Sequence, residues 1–129
     1  LYDPEGAPAP HIERMAERGL VFDHAFSNAP VCSVARTTLM TSIYAPRVAT
    51  QFHRKIAPAR LPEGWRLFPA YLRAQGYHTT NNAKKDYNTV DQPEAWDESS
   101  REASYHNRAE GQPFFHIYKQ SYYKDNFPN

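Results

Sequence analysis

The spacing of hydrophobic and polar positions changes period several times along the chain, and the changes predict a mixed helix and strand architecture. In APHIERMAERG, Ile12, Met15 and Ala16 recur at helical spacing, with Pro10 near the start and Gly19 placed to cap the end. A short surface helix is expected there. LVFDHAF then reads as a strand, and SNAP turns the chain toward APVCSVARTTLMTSIY. Pro30 fixes the approach to that segment and Ser33 is placed as its N-cap. The expected helix runs from about residue 34 to 42, with Cys32 just before its first turn.

Proline punctuates YAPRVATQFHRKIAPARLPEGW, which shows no period and is expected to be a long ordered loop, a common seat of function. RLFPAYLRAQGY brings Leu67, Tyr71 and Leu72 to one side of a helix that Gly76 ends, and YHTTN follows with strand character. The polar NNAKKDYN puts its lysines where a strand meets a loop, the usual ligand edge of open α/β sheets. A polar stretch anchored by Trp96 leads to a last apolar strand, QPFFHIYKQ, and SYYKDNFPN follows with no helix or cap signal.

Composition narrows the class. At 129 residues and 40% hydrophobic, the chain fits one domain with a modest core, and eleven prolines against five glycines favour a loop-rich α/β protein. Fifteen basic residues oppose fourteen acidic ones, so no global field favours nucleic acid or an anionic membrane. No stretch approaches the ~18 apolar residues of a membrane span. The start LYDPEGAPAP lacks the features of a signal peptide. One cysteine excludes an internal disulfide and any multi-cysteine zinc site, and no histidine pair has helical metal-ligand spacing.

Local chemistry centres on that cysteine. At a helix amino terminus, free backbone N–H groups and the dipole favour anions, and an arginine four residues on is placed to fork onto sulfate or phosphate. Cys32 and Arg36 thus form a candidate oxyanion site, although a lone cysteine is also a common small core residue. A cysteine-phosphatase loop is excluded, since Thr38 stands where its arginine belongs and the cradle lacks glycines. His24 and His53 stay open as spatial partners for the thiol.

The order Cys32, Ser33, Val34, Ala35, Arg36, with Leu39 and Thr41 in register, resembles the signature of the type I sulfatases of the alkaline-phosphatase superfamily. Val34 departs from the usual proline or alanine, and Ser42 from the usual glycine. The resemblance extends through APHIERMAERGLVFDHAFSNAPVC and LPEGWRLFPAYLRAQGYHTTNNAKKDYN, about residues 8 to 90. It implies an alkaline-phosphatase-like α/β sandwich with a mixed central sheet. Residues 1–129 would form part of its amino-terminal catalytic domain, lacking the first strand and the carboxyl-terminal part.

The resemblance also implies the chemistry. Cys32 would be oxidised by a formylglycine-generating or anaerobic maturation enzyme, and the hydrated aldehyde would attack a sulfate ester beside calcium. Cys32 would also contact that metal, whose remaining ligands are expected outside this chain. Arg36 would hold the modified side chain, and Lys84 would contact the sulfate, with Lys85 as the alternative if the register slips by one. Asp86 replaces a histidine common in the family, and His116 is expected to pack within its strand. The expected substrate is a sulfated carbohydrate or small sulfate ester, and the expected compartment is periplasmic, secreted or lysosomal. Phosphoester or phosphonate hydrolysis, and an inactive anion-binding chain, are the alternatives.

Overall fold

In the computed structural model, residues 6, 8–54 and 56–118 are described. Helix α1 (Pro10–Arg18) is followed by α2 (Cys32–Thr41), α3 (Phe68–Ala74), β1 (His78–Asn82), β2 (Glu98–Ser99) and β3 (Phe114–Tyr118). The three strands form one sheet in the order β2-β1-β3, and both pairings are parallel. Thr80 lies opposite Glu98 on one side and His116 on the other.

β1 is the middle strand, and its Thr79, Thr80 and Asn81 are fully buried. Such a polar strand survives burial because its side chains find partners. Thr79 Oγ1 donates to the Ala95 carbonyl at 2.9 Å, Thr80 Oγ1 meets His116 Nδ1 at 2.6 Å, and Asn81 Nδ2 donates to Ser99 Oγ at 3.1 Å. His116 therefore packs within β3, as the sequence suggests.

Below the sheet, Met40 from α2, Leu67 and Ala70 around α3, and Ala95 and Trp96 form the core, with Phe68, Tyr87, Phe115 and Ile117 against it. Phe115 meets Phe68 edge-on at 4.9 Å and stacks on Trp96 at 6.5 Å. Trp96 is the anchor that its isolation in a polar stretch predicts. Gly76, at φ +88°, supplies the left-handed turn between α3 and β1 that a side chain would strain.

Three expectations are corrected. Leu20–Phe26 is not a strand: its apolar side chains are exposed, Phe26 at 90%, and no described strand pairs with it. Helix α2 begins at Cys32 itself, two residues earlier than the spacing suggests, and its N-cap is Val31 with no side-chain bond. Ser33 is fully buried within the first turn, so its hydroxyl is spent elsewhere. Finally, Tyr71 does not share the buried side of α3; it is half exposed, its hydroxyl donating to the Gly64 carbonyl at 3.1 Å. The SYYKDNFPN tail lies outside the described residues.

Asp97 fastens α3 to the sheet. Its carboxylate accepts from the Thr79 N–H at 2.8 Å and from Arg73 Nε at 2.7 Å. Burial opposes its ionisation, but these donors outweigh burial and hold its pKa below the usual value. A depressed carboxylate contributes stability that is complete above its unfolded value, about 3.9, and is lost as pH falls through the folded one. Asp97→Asn should therefore cost about 1.5–3 kcal/mol near neutrality and flatten the acid limb of stability below about pH 4. Urea unfolding across pH 3 to 7 reads both effects, and an unchanged acid limb would refute the assignment.

Candidate active site

The carboxyl ends of the parallel strands deliver the Lys84–Asp86 loop, and α2 meets that loop with its first turns. Cys32 opens α2 as a free, exposed thiol. One turn on, Arg36 donates from Nε to the Lys85 carbonyl at 3.0 Å and from Nη2 to the Lys84 carbonyl. Its guanidinium also lies over the Tyr87 ring, 5.5 Å from the centroid. Arg36 thus joins the signature helix to the lysine loop through two charge-assisted bonds. Burial pushes the Tyr87 phenol above its usual pKa and Arg36 partly opposes it, so the ring remains neutral under the cation.

Lys84 is three-quarters buried at its side chain, and its Nζ pairs with Asp86 Oδ2 at 3.2 Å. Lys85 turns to Asp91 at 2.9 Å. The two ammonium groups are therefore separated, and of the two side chains only that of Lys84 enters the network around α2.

That network includes residues that no sequence motif announces. Ser33 Oγ shares a 2.9 Å hydrogen bond with His53 Nδ1 and accepts from the Arg54 N–H at 3.2 Å. Arg54 in turn forks onto Asp86, at 3.2 and 3.3 Å. The hydrogen bond from Arg54 holds the Asp86 carboxyl below its usual pKa, with burial opposing and Lys84 assisting. The Arg54 pKa is raised chiefly by its hydrogen bond and charge pairing with Asp86. His24, the other histidine kept open for the thiol, stacks on Phe26 instead.

Asn88 holds the pieces together. Its N–H donates to Thr37 Oγ1 of α2 at 2.9 Å, and its side-chain amide donates to the carbonyls of Thr50 and Phe52. Its own carbonyl accepts from Ala59 N–H at 2.8 Å. A single buried asparagine thereby ties α2, Thr50, Phe52 and Ala59 to the loop after β1. A groove of about 440 Å³ also runs along α2, lined by Phe26, Ala35, Leu39 and Tyr44, but neither Cys32 nor Lys84 lines it.

Among the described residues, no group of three or more His, Cys, Asp or Glu side chains is placed to hold a metal ion. Calcium takes about six to eight oxygen ligands, and a thiol is a soft sulfur donor, so the donors described here do not make a calcium site. No helix among them is long and apolar enough to cross a membrane.

A helix-initial cysteine is thus tied, through the arginine four residues on, to a lysine loop at the carboxyl edge of a parallel sheet. The family model for sulfatases matches residues 1–128, and the chain belongs to the sulfatase family. Its helices and small parallel sheet are part of the alkaline-phosphatase-like α/β fold that the resemblance implies. An ulvan-active sulfatase of Formosa agariphila is 31% identical over 119 residues, covering 84% of this chain and 20% of that protein. The chain thus spans about one fifth of that relative's length. No solved structure matches the chain.

Proposed function

We propose that this chain contributes the nucleophile and one cationic wall of a sulfuric ester hydrolase, with Cys32 as the formylglycine precursor. The observation that carries this reading is the exposed Cys32 at the first turn of α2, joined through Arg36 to the loop of Lys84. The first-turn N–H groups of α2 favour the negative oxygens of a sulfate ester. Lys84 adds a cation that balances charge on the ester, and Arg36 keeps that lysine at the helix end. Conversion of Cys32 would replace the thiol with an aldehyde whose hydrate provides the attacking hydroxyl. Calcium, the metal implied by the family, would need its remaining oxygen ligands from outside the described residues.

A maturation enzyme is the partner this chemistry requires, and a sulfated carbohydrate or small sulfate ester is the substrate class. The name of the similar protein makes ulvan the first polysaccharide to test. An arginine and a lysine do not by themselves distinguish sulfur from phosphorus, so phosphoester hydrolysis is the second reading.

Turnover of paired sulfate and phosphate monoesters by the parent enzyme separates these readings. Mass spectrometry of the Cys32 peptide should show one oxygen in place of sulfur and two hydrogens, together with sulfate release. Phosphate release alone would move the protein to phosphoester chemistry. Neither reaction, with an unconverted thiol, would leave an inactive anion-binding chain.

A further inference from the structure

The Asp86 carboxylate is shared between two cations that come from distant parts of the chain. Lys84 Nζ approaches Oδ2 at 3.2 Å, and Arg54 approaches both oxygens at 3.2 and 3.3 Å. Arg54 is itself docked on the first turn of α2, because its N–H donates to the hydroxyl of Ser33, the neighbour of Cys32. Asp86 thus connects the lysine loop to the helix end through Arg54, independently of the link made by Arg36.

We propose that Asp86 is a positioning residue of the anion site: it fixes the Lys84 ammonium toward the Cys32 end of α2 and seats Arg54 as a second cation there. This rests on the reading of Lys84 as a sulfate contact. Two cations and one carboxylate leave a net positive charge, so an incoming sulfate is still attracted. A lysine held by a partner also loses less rotamer freedom on binding than a mobile one.

Two features favour positioning over simple surface pairing. The Asp86 and Lys84 side chains are only 16% and 24% exposed, whereas an exposed pair would contribute little; Arg54, 63% exposed, reaches the pair from the surface and is the weaker of the two links. Both Arg54 and Asp86 adopt left-handed backbone, at φ +47° and +48°. That conformation is unfavourable for a residue with a side chain, and here it brings the two groups face to face.

The test uses the parent enzyme and inorganic sulfate as the probe, measured by calorimetry and by competition against a sulfate ester. Asp86→Asn should weaken sulfate binding and raise KM about tenfold together, while kcat falls less than threefold; its thermal midpoint should also fall, because a carboxylate paired with two cations is lost, so both assays are run well below it. Asp86→Glu, which restores the charge, should recover most of the affinity. Arg54→Ala should weaken binding less than Asp86→Asn, and combining the two should give less than the product of the single effects, because they share one contact.

Sulfate affinity unchanged in Asp86→Asn would overturn the role of Asp86 and leave the sulfatase reading intact. A loss that Asp86→Glu fails to recover would overturn it as well. Failure of the parent enzyme to hydrolyse any sulfate ester would instead sink the reading of function, while the calorimetric comparison would still decide the role of Asp86.

Discussion

Replacing Cys32 with alanine should abolish sulfate-ester turnover by the parent enzyme, by at least about 10⁴-fold, while leaving a folded protein. The two halves of this expectation have separate physical grounds. Cys32 is exposed at the first position of α2 and has no side-chain role in the core. Alanine is the best helix former, so the change in stability should stay within about 0.5 kcal/mol. The chemistry, in contrast, has no substitute. The other nucleophilic side chain of the first turn, Ser33, is fully buried and engaged with His53 and Arg54. Initial rates on a sulfate ester, with circular dichroism as the folding control, read both halves. Turnover within tenfold of the parent would refute Cys32 as the source of the nucleophile.

The contrast between Cys32 and Ser33 also shows what the sequence can disclose. A cysteine four residues before an arginine is a local pattern, and the structure places Arg36 on the expected helix and extends that helix back to include Cys32. β1, β3 and α3 were equally legible, since β-branched and aromatic runs bounded by Gly76 and proline carry their own signal. Ser33 was misread because an N-cap and a buried serine share the same local sequence. The choice was made by His53, which reaches it from twenty residues away.

The failure at Leu20–Phe26 has a different cause. Its apolar pattern is that of a strand, but a strand also needs a hydrogen-bonding neighbour, and none of the described strands lies beside it. Periodicity reports what a segment is able to bury, while pairing decides what it becomes. Asn88, Arg54 and the ion-pair role of Asp86 are not legible in the sequence for a related reason. The Arg54–Asp86 pair and the bonds from Asn88 to Thr37, Thr50 and Phe52 each span more than 30 residues of chain, a reach that no spacing rule encodes. The signal in hindsight was the polar run after β1, whose Asp86 and Asn88 are too well partnered to be solvated loop residues.

Arg36 gives the second large expectation, and it divides structure from charge. Arg36→Ala should destabilise the protein by about 2–3 kcal/mol, because it removes two charge-assisted bonds and leaves the Lys84 and Lys85 carbonyls without that donor. It should also reduce kcat/KM for a sulfate ester by about 10²-fold, since the Lys84 loop would lose its tether to α2. Arg36→Lys is the decisive variant. An ammonium keeps the positive charge but cannot reproduce the planar fork that reaches two successive carbonyls while lying over Tyr87. If Arg36 acts through geometry, lysine should recover less than half of the lost stability and leave most of the defect in kcat/KM. If it acts as a charge facing the substrate, lysine should restore sulfate affinity almost fully even though the fold remains weakened. Chemical unfolding and steady-state kinetics on the same three proteins separate these outcomes. The two carbonyl bonds in the structure favour the first, because a guanidinium already committed to the backbone serves the anion best by holding Lys84 in place.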